Sequence, residues 1–148
     1  MSLKDRVQDD MKSALRARDK ERLAAIRLIL AAIQQHEIDA RTTLDDTRII
    51  AVLDRMIKQR RESIAQFQSA GRADLVARET FEIELIRSYL PAALSDAEID
   101  ALISAAVTAT EARSARDIGK VMGVLKSQVQ GRADMAAVSA RVKAWLAG

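Results

Sequence analysis

The stretch Lys58–Pro91, KQRRESIAQFQSAGRADLVARETFEIELIRSYLP, limits the fold more than any other part of the chain. Apolar residues stand at Leu53, Ile57, Ile64 and Phe67 before Gly71 and at Leu75, Ile86 and Tyr89 after it. Spacings built from threes and fours put each set on one face of a helix. Gly71 takes the left-handed backbone that ends a helix at no steric cost. The sequence therefore predicts two helices folded back on each other about Gly71. In that antiparallel register Phe67 meets Leu75, Ile57 meets Ile86 and Leu53 meets Tyr89. Arg60 falls on the apolar seam opposite Glu82, with Glu79 one turn away. A buried guanidinium without a carboxylate is costly, so Arg60 and Glu82 are expected to form a structural ion pair.

The second arm is expected to end at Leu90, because Pro91, the only proline, cannot continue a helix and pushes its predecessor out of the helical region. Ser95 followed by Glu98 has capping-box spacing. LPAALS therefore reads as a boundary, dividing the chain into an N-terminal helical domain, 1–91, and a C-terminal domain, 92–148.

Before the hairpin, Ser2 can cap a helix with the stripe Leu3, Val7, Met11 and Leu15. A break is expected near Asp19. The next helix, about Lys20 to Ile38, carries Leu23, Ile26, Leu30 and Ile33, widened by alanines and leucines into the profile of a central helix. His36 lies in its last turn as a polar helix-end residue, with no nucleophile beside it. Residues 39–45 read as a loop, with Thr43 or Asp45 capping the helix that runs to about Ala70. Beyond Pro91 come three shorter helices. The first, Asp96 to Glu111, shows Ile99, Leu102, Ile103, Ala106 and Val107. The second starts at Ser114 and Asp117, shows Ile118, Val121, Met122, Leu125 and Val129, and stops at Gly131. The third starts at Asp134 and shows Met135, Val138, Val142 and Trp145. The expected fold is all-α, an N-terminal helical-hairpin bundle followed by a small three-helix bundle.

Composition narrows the chemistry. Hydrophobic residues make up 49% but aromatics only 3%, so aliphatic side chains must fill the core, which suits close-packed helices. There is no cysteine and one histidine. That excludes disulfides, thiolate catalysis, Cys-ligated zinc and a His-based metal cluster. The N-terminus, MSLKDRVQDDMK, is charged throughout and does not read as a signal peptide. The longest apolar run, Leu23–Ile33, carries Arg27 and falls short of the ~20 residues that span a bilayer. A soluble, cytoplasmic protein with no membrane segment is expected. No glycine-rich phosphate loop, nucleophile elbow or metal-ligand spacing is present. Gly119–Lys120 resembles the end of a Walker A motif but lacks the upstream glycine and the following Ser/Thr. No catalytic, cofactor or metal site is expected.

What remains is charge. Lys and Arg number 24 against 21 Asp and Glu, a net +3 that permits nucleic-acid contact without arguing for it. Lys120, Lys126, Arg132, Arg141 and Lys143 make the last third locally positive and are the candidate RNA contacts. Gly119 and Gly123 stand four apart on one helix face. They admit either the close approach of another helix or that of an RNA backbone. With so few aromatic residues, folded RNA read by charge and shape fits better than splayed bases stacked on rings.

The runs KQRRESIAQFQSAGRADL, ELIRSYLPAALSDAEI and GKVMGVLKSQVQGRADMAAVSARVKAWL resemble the GatB/YqeY family, and the likeness extends upstream to LKDRVQDDMKSALRARDKERLAAIRLILAAI. The resemblance implies an all-helical, two-part fold. It also implies kinship with the tail of the B subunit of the glutamine-dependent amidotransferase that converts misacylated tRNA. In that enzyme the tail contacts tRNA, while the chemistry resides in another domain. By family the chain is grouped with carbon–nitrogen ligases using glutamine as amide donor, yet its residues supply no ammonia channel, nucleotide site or magnesium site. Two readings follow: an accessory tRNA-binding module, or a helical adaptor for a protein partner with no RNA role.

Overall fold

The computed structural model describes Met1–Gly148, and its regular structure is entirely helical. Seven α-helices follow one another: α1 Leu3–Arg16, α2 Lys20–Ala40, α3 Asp46–Ser69, α4 Ala73–Arg87, α5 Asp96–Thr110, α6 Ile118–Val129 and α7 Met135–Ala147. A short 3-10 turn, Ala115–Asp117, leads into α6. The chain divides into two compact units, Met1–Leu90 and Pro91–Gly148.

Local chemistry starts most of these helices. Ser2, Asp19, Asp45, Ser95 and Asp134 each accept a hydrogen bond from a backbone N–H of the first turn, satisfying a donor the helix itself leaves open. At α5 the capping box is complete: Glu98 N–H donates to the Ser95 hydroxyl at 3.1 Å, and Ser95 N–H donates to the Glu98 carboxylate at 3.2 Å. Between α3 and α4 Gly71 takes φ +69°, and Arg72 N–H closes the turn on Phe67 C=O at 2.9 Å.

In the first unit α2 packs against α1, α3 and α4. The core is aliphatic, built on Val7, Ile26, Ile29, Ile33, Ile49, Leu53 and Ile86 with essentially no exposure. Polar clips hold its ends. Glu37 accepts from Lys4 at 2.7 Å and from Leu44 N–H at 2.9 Å. The Lys4 bond first, then the Leu44 amide, hold its carboxyl below the ordinary range. Buried Tyr89 donates to Asp10 at 2.5 Å, with Arg6 over its ring at 5.6 Å. The second unit closes over Ile103, Val121, Leu125, Val129, Val138 and Val142.

Several sequence expectations shift. α4 ends at Arg87, and a turn covers Ser88 to Leu90. Leu15 is exposed, while Ala14 is buried beside Leu3 and Val7. A spacing of four residues advances about 40° beyond a full turn at each step, so Leu15 lies about 120° round from Leu3 while Ala14 returns to within about 20°. Trp145, a stripe residue by spacing, stands exposed near the end of α7.

Candidate nucleic-acid interface

α6 is the element on which the RNA reading rests. Its buried side is Val121, Leu125 and Val129. Gly119, Lys120, Gly123, Lys126 and Ser127 are exposed. At about 100° per residue, Lys126 lies about 20° to one side of Gly119 and Lys120 about 100° to the other. Gly123 and Ser127 fill the arc between them, so two lysines flank a ridge of small residues. A Cβ built on either glycine meets no atom within 4 Å. The first sequence alternative for these glycines, close approach of another helix, therefore has no counterpart within the chain. Each glycine still costs the helix roughly 0.5–1 kcal/mol relative to alanine.

The five candidate cations have different fates. Arg141 is committed to α5, donating to Asp96 at 2.9 Å and Asp100 at 2.7 Å. The Asp100 bond is the foremost cause that raises its pKa above the ordinary value. Arg132 donates through Nε to Ala92 C=O at 2.9 Å, and its own carbonyl accepts from Leu94 N–H at 2.9 Å. Lys120 lies 3.7 Å from Asp117, which also accepts from Arg113 N–H at 2.9 Å, the largest cause lowering the Asp117 pKa. Lys126 and Lys143 are exposed and form no ion pair. The structure thus separates two arginines that stitch the unit together from three lysines that remain presentable.

Sequence reasoning had missed the acceptors. Asp96 and Asp100 are four apart on one face of α5, a signal in the right place, but nothing in the sequence says that α7 returns to that face. Lys120 and Asp117, three apart on consecutive turns, were legible as a local pair.

In the first unit Arg60 Nε donates to Glu82 at 2.8 Å, and Arg60 Nη1 donates to Met56 C=O at 3.3 Å. Arg78 approaches the other Glu82 oxygen at 3.8 Å. Both members of the Arg60–Glu82 pair are nearly buried. No group of three or more His, Cys, Asp or Glu side chains is arranged to hold a metal ion, and no helix is long and apolar enough to cross a membrane.

A family model described as Yqey-like protein matches residues 4–146. The chain belongs to the YqeY-like family. Relatives include proteins named altered inheritance of mitochondria protein 41, mitochondrial. The one from Pyrenophora tritici-repentis is 33% identical over 131 residues, covering 86% of this chain and 71% of the relative. The one from Lachancea thermotolerans is 42% identical over 106 residues, covering 69% and 56%. The one from Eremothecium gossypii is 39% identical over 87 residues, covering 58% and 48%. This YqeY-like chain therefore spans about half the length of the last two. The mitochondrial designation of these relatives overturns the cytoplasmic location expected from the sequence. The expectation rested on the missing cysteine, the charged N-terminus and the lack of a membrane-length apolar run, and none of these ranks one reducing compartment over another.

Proposed function

We propose that this YqeY-like chain is an accessory module that contacts tRNA through α6 and supplies no chemistry of its own. One observation carries the reading: Gly119 and Gly123 leave the α6 backbone open, with no neighbour inside the chain that requires it. Lys120 and Lys126 flank that opening, and Lys143 adds an exposed cation on α7. A bare helix backbone between cations suits a phosphate-lined surface read by shape. The likeness to the amidotransferase tail supports tRNA as the RNA in question and amidation of aminoacyl-tRNA as the setting.

The test uses the opposite signs of two effects. Gly123→Ala should stabilise α6 by about 0.5–1 kcal/mol in chemical denaturation. The same substitution should weaken binding to total tRNA, measured by fluorescence anisotropy. Lys126→Ala and Lys143→Ala should each weaken binding alike for all tRNAs and lower the salt slope by roughly one unit. Arg141→Ala should cost stability and leave the salt slope alone. If Gly123→Ala stabilises the protein with tRNA affinity unchanged, the reading fails.

A further inference from the structure

The chain has only two phenylalanines, and neither enters the core. Both line a cleft in the first unit, between α2 and the α3–α4 hairpin. The cleft consists of two adjoining hollows that share Arg78 and Glu82, each about 440 Å³. Leu28 and Ala24 of α2 form one wall; Phe67, Leu75 and Phe81 stand across from them. Leu28 is 43% exposed and both rings are half-buried. Large apolar side chains held in a concave site at partial exposure are what a partner's anchors fill.

The charges in the cleft are unequal. Glu82 is satisfied by Arg60 at 2.8 Å and Arg78 at 3.8 Å. Glu79, one turn away and also lining the cleft, has no hydrogen bond and no ion pair within 4.0 Å. Its carboxyl is pushed above the ordinary range, first by partial burial and then by the neighbouring Glu82 charge, against the weaker opposing pull of Arg60 and Arg78. A cation brought into direct contact with Glu79 would complete what those two arginines, held on Glu82, leave undone.

We infer that this cleft docks an amphipathic helix of another protein, one that offers aliphatic side chains at helical spacing and a lysine or arginine to Glu79. Its walls are helices with their backbone groups bonded internally, and there is no strand edge to extend, so recognition must run through side chains. On α2, exposed Ala24 and Ala31 flank Leu28 on one stripe, leaving low ground beside a ridge, which suits helix-against-helix packing. A second copy of this chain is a poor occupant. Its remaining large exposed apolar residues are Met1, ahead of α1, and Leu15, Ile38, Val124 and Trp145, one to a helix; so scattered, they offer no aliphatic row. The inference is independent of the tRNA reading, which concerns the other unit.

The test is a displayed library of amphipathic helices about sixteen residues long, or ~24 Å, selected on the intact chain and counter-selected on a Leu28→Glu variant. Selected peptides should carry aliphatic residues at i, i+3 or i+4, and i+7, together with a lysine or arginine. A synthetic copy of one should bind Leu28→Glu and Glu79→Lys roughly tenfold or more weakly. Replacing its cation by glutamate should restore binding to Glu79→Lys. Circular dichroism checks both variants; should Leu28→Glu fail to fold, the charge exchange at Glu79 decides alone. The inference is overturned if no peptide survives counter-selection, if binding ignores both substitutions, or if the selected peptides lack a cation. It is also overturned if the wild-type chain self-associates through Leu28 in sedimentation, which would make a second copy the occupant.

Discussion

Arg60 and Glu82 stand eleven residues either side of Gly71, so their meeting fixes the rung on which the two arms pair. That contact was legible because the hairpin is local: one glycine sets the fold-back and helical spacing does the rest. With Glu82 removed, a nearly buried guanidinium keeps only the Met56 carbonyl. Glu82→Ala should therefore cost about 2–4 kcal/mol, and Glu82→Gln distinctly less, by urea denaturation. Tyr89 teaches the reverse lesson. Its partner Asp10 is seventy-nine residues away, a separation that helical spacing does not bridge. Burial first, then the Asp10 bond, raise the Tyr89 pKa above its ordinary value near 10. The neutral phenol is thus favoured in the fold. Its contribution is present in full below about pH 10 and is lost as pH rises through the folded-state value. Wild-type stability should fall with a steeper slope above about pH 10 than that of Tyr89→Phe, which should lack this component while costing about 1–2 kcal/mol at neutral pH. Equal slopes in alkaline denaturation would contradict the assignment.

At the scale of elements, helix starts were easier to read than helix ends. Side-chain caps at Ser2, Asp45, Ser95 and Asp134 announce themselves by residue type. Three ends are made by residues that announce nothing: Arg18, Arg41 and Glu111 carry φ of 58°, 55° and 54°. The break near Asp19 was read from a run of charges, with no glycine to enforce it; the backbone accomplishes it through a left-handed arginine. Such a conformation costs a non-glycine residue roughly 1–2 kcal/mol. Arg41→Gly should recover part of that, raising stability by about 0.5–1 kcal/mol, because glycine enters the left-handed region freely but loses more entropy on folding. Gly71→Ala should do the opposite. With open space around its would-be Cβ, the loss of about 1 kcal/mol would be purely conformational. Paired denaturation curves of the two variants, moving in opposite directions, check the account; movement in the same direction would refute it.

Across the whole molecule, the all-helical class was legible from spacing and the lone proline, and the YqeY-like family from runs spread along nearly the full chain. The candidate site was legible in its residue types and not in their commitments. Lysine and arginine look alike in a charge count, yet Arg132 and Arg141 are tied within their own unit while Lys126 and Lys143 are free. The glycine pair shows the same limit: its spacing suited a helix contact or a ligand, and only the empty space around it favours the second. That empty space also makes the central claim directly observable, because glycine amides occupy a sparsely populated region of a proton–nitrogen correlation spectrum. Unfractionated tRNA titrated into the labelled intact chain at about 50 mM salt, where phosphate contacts are favoured, should move the Gly119 and Gly123 amides together with those of Lys120 and Lys126, and leave Phe67 and Phe81 in place. Glycine amides that stay fixed at saturating tRNA, or shifts confined to the first unit, would contradict it.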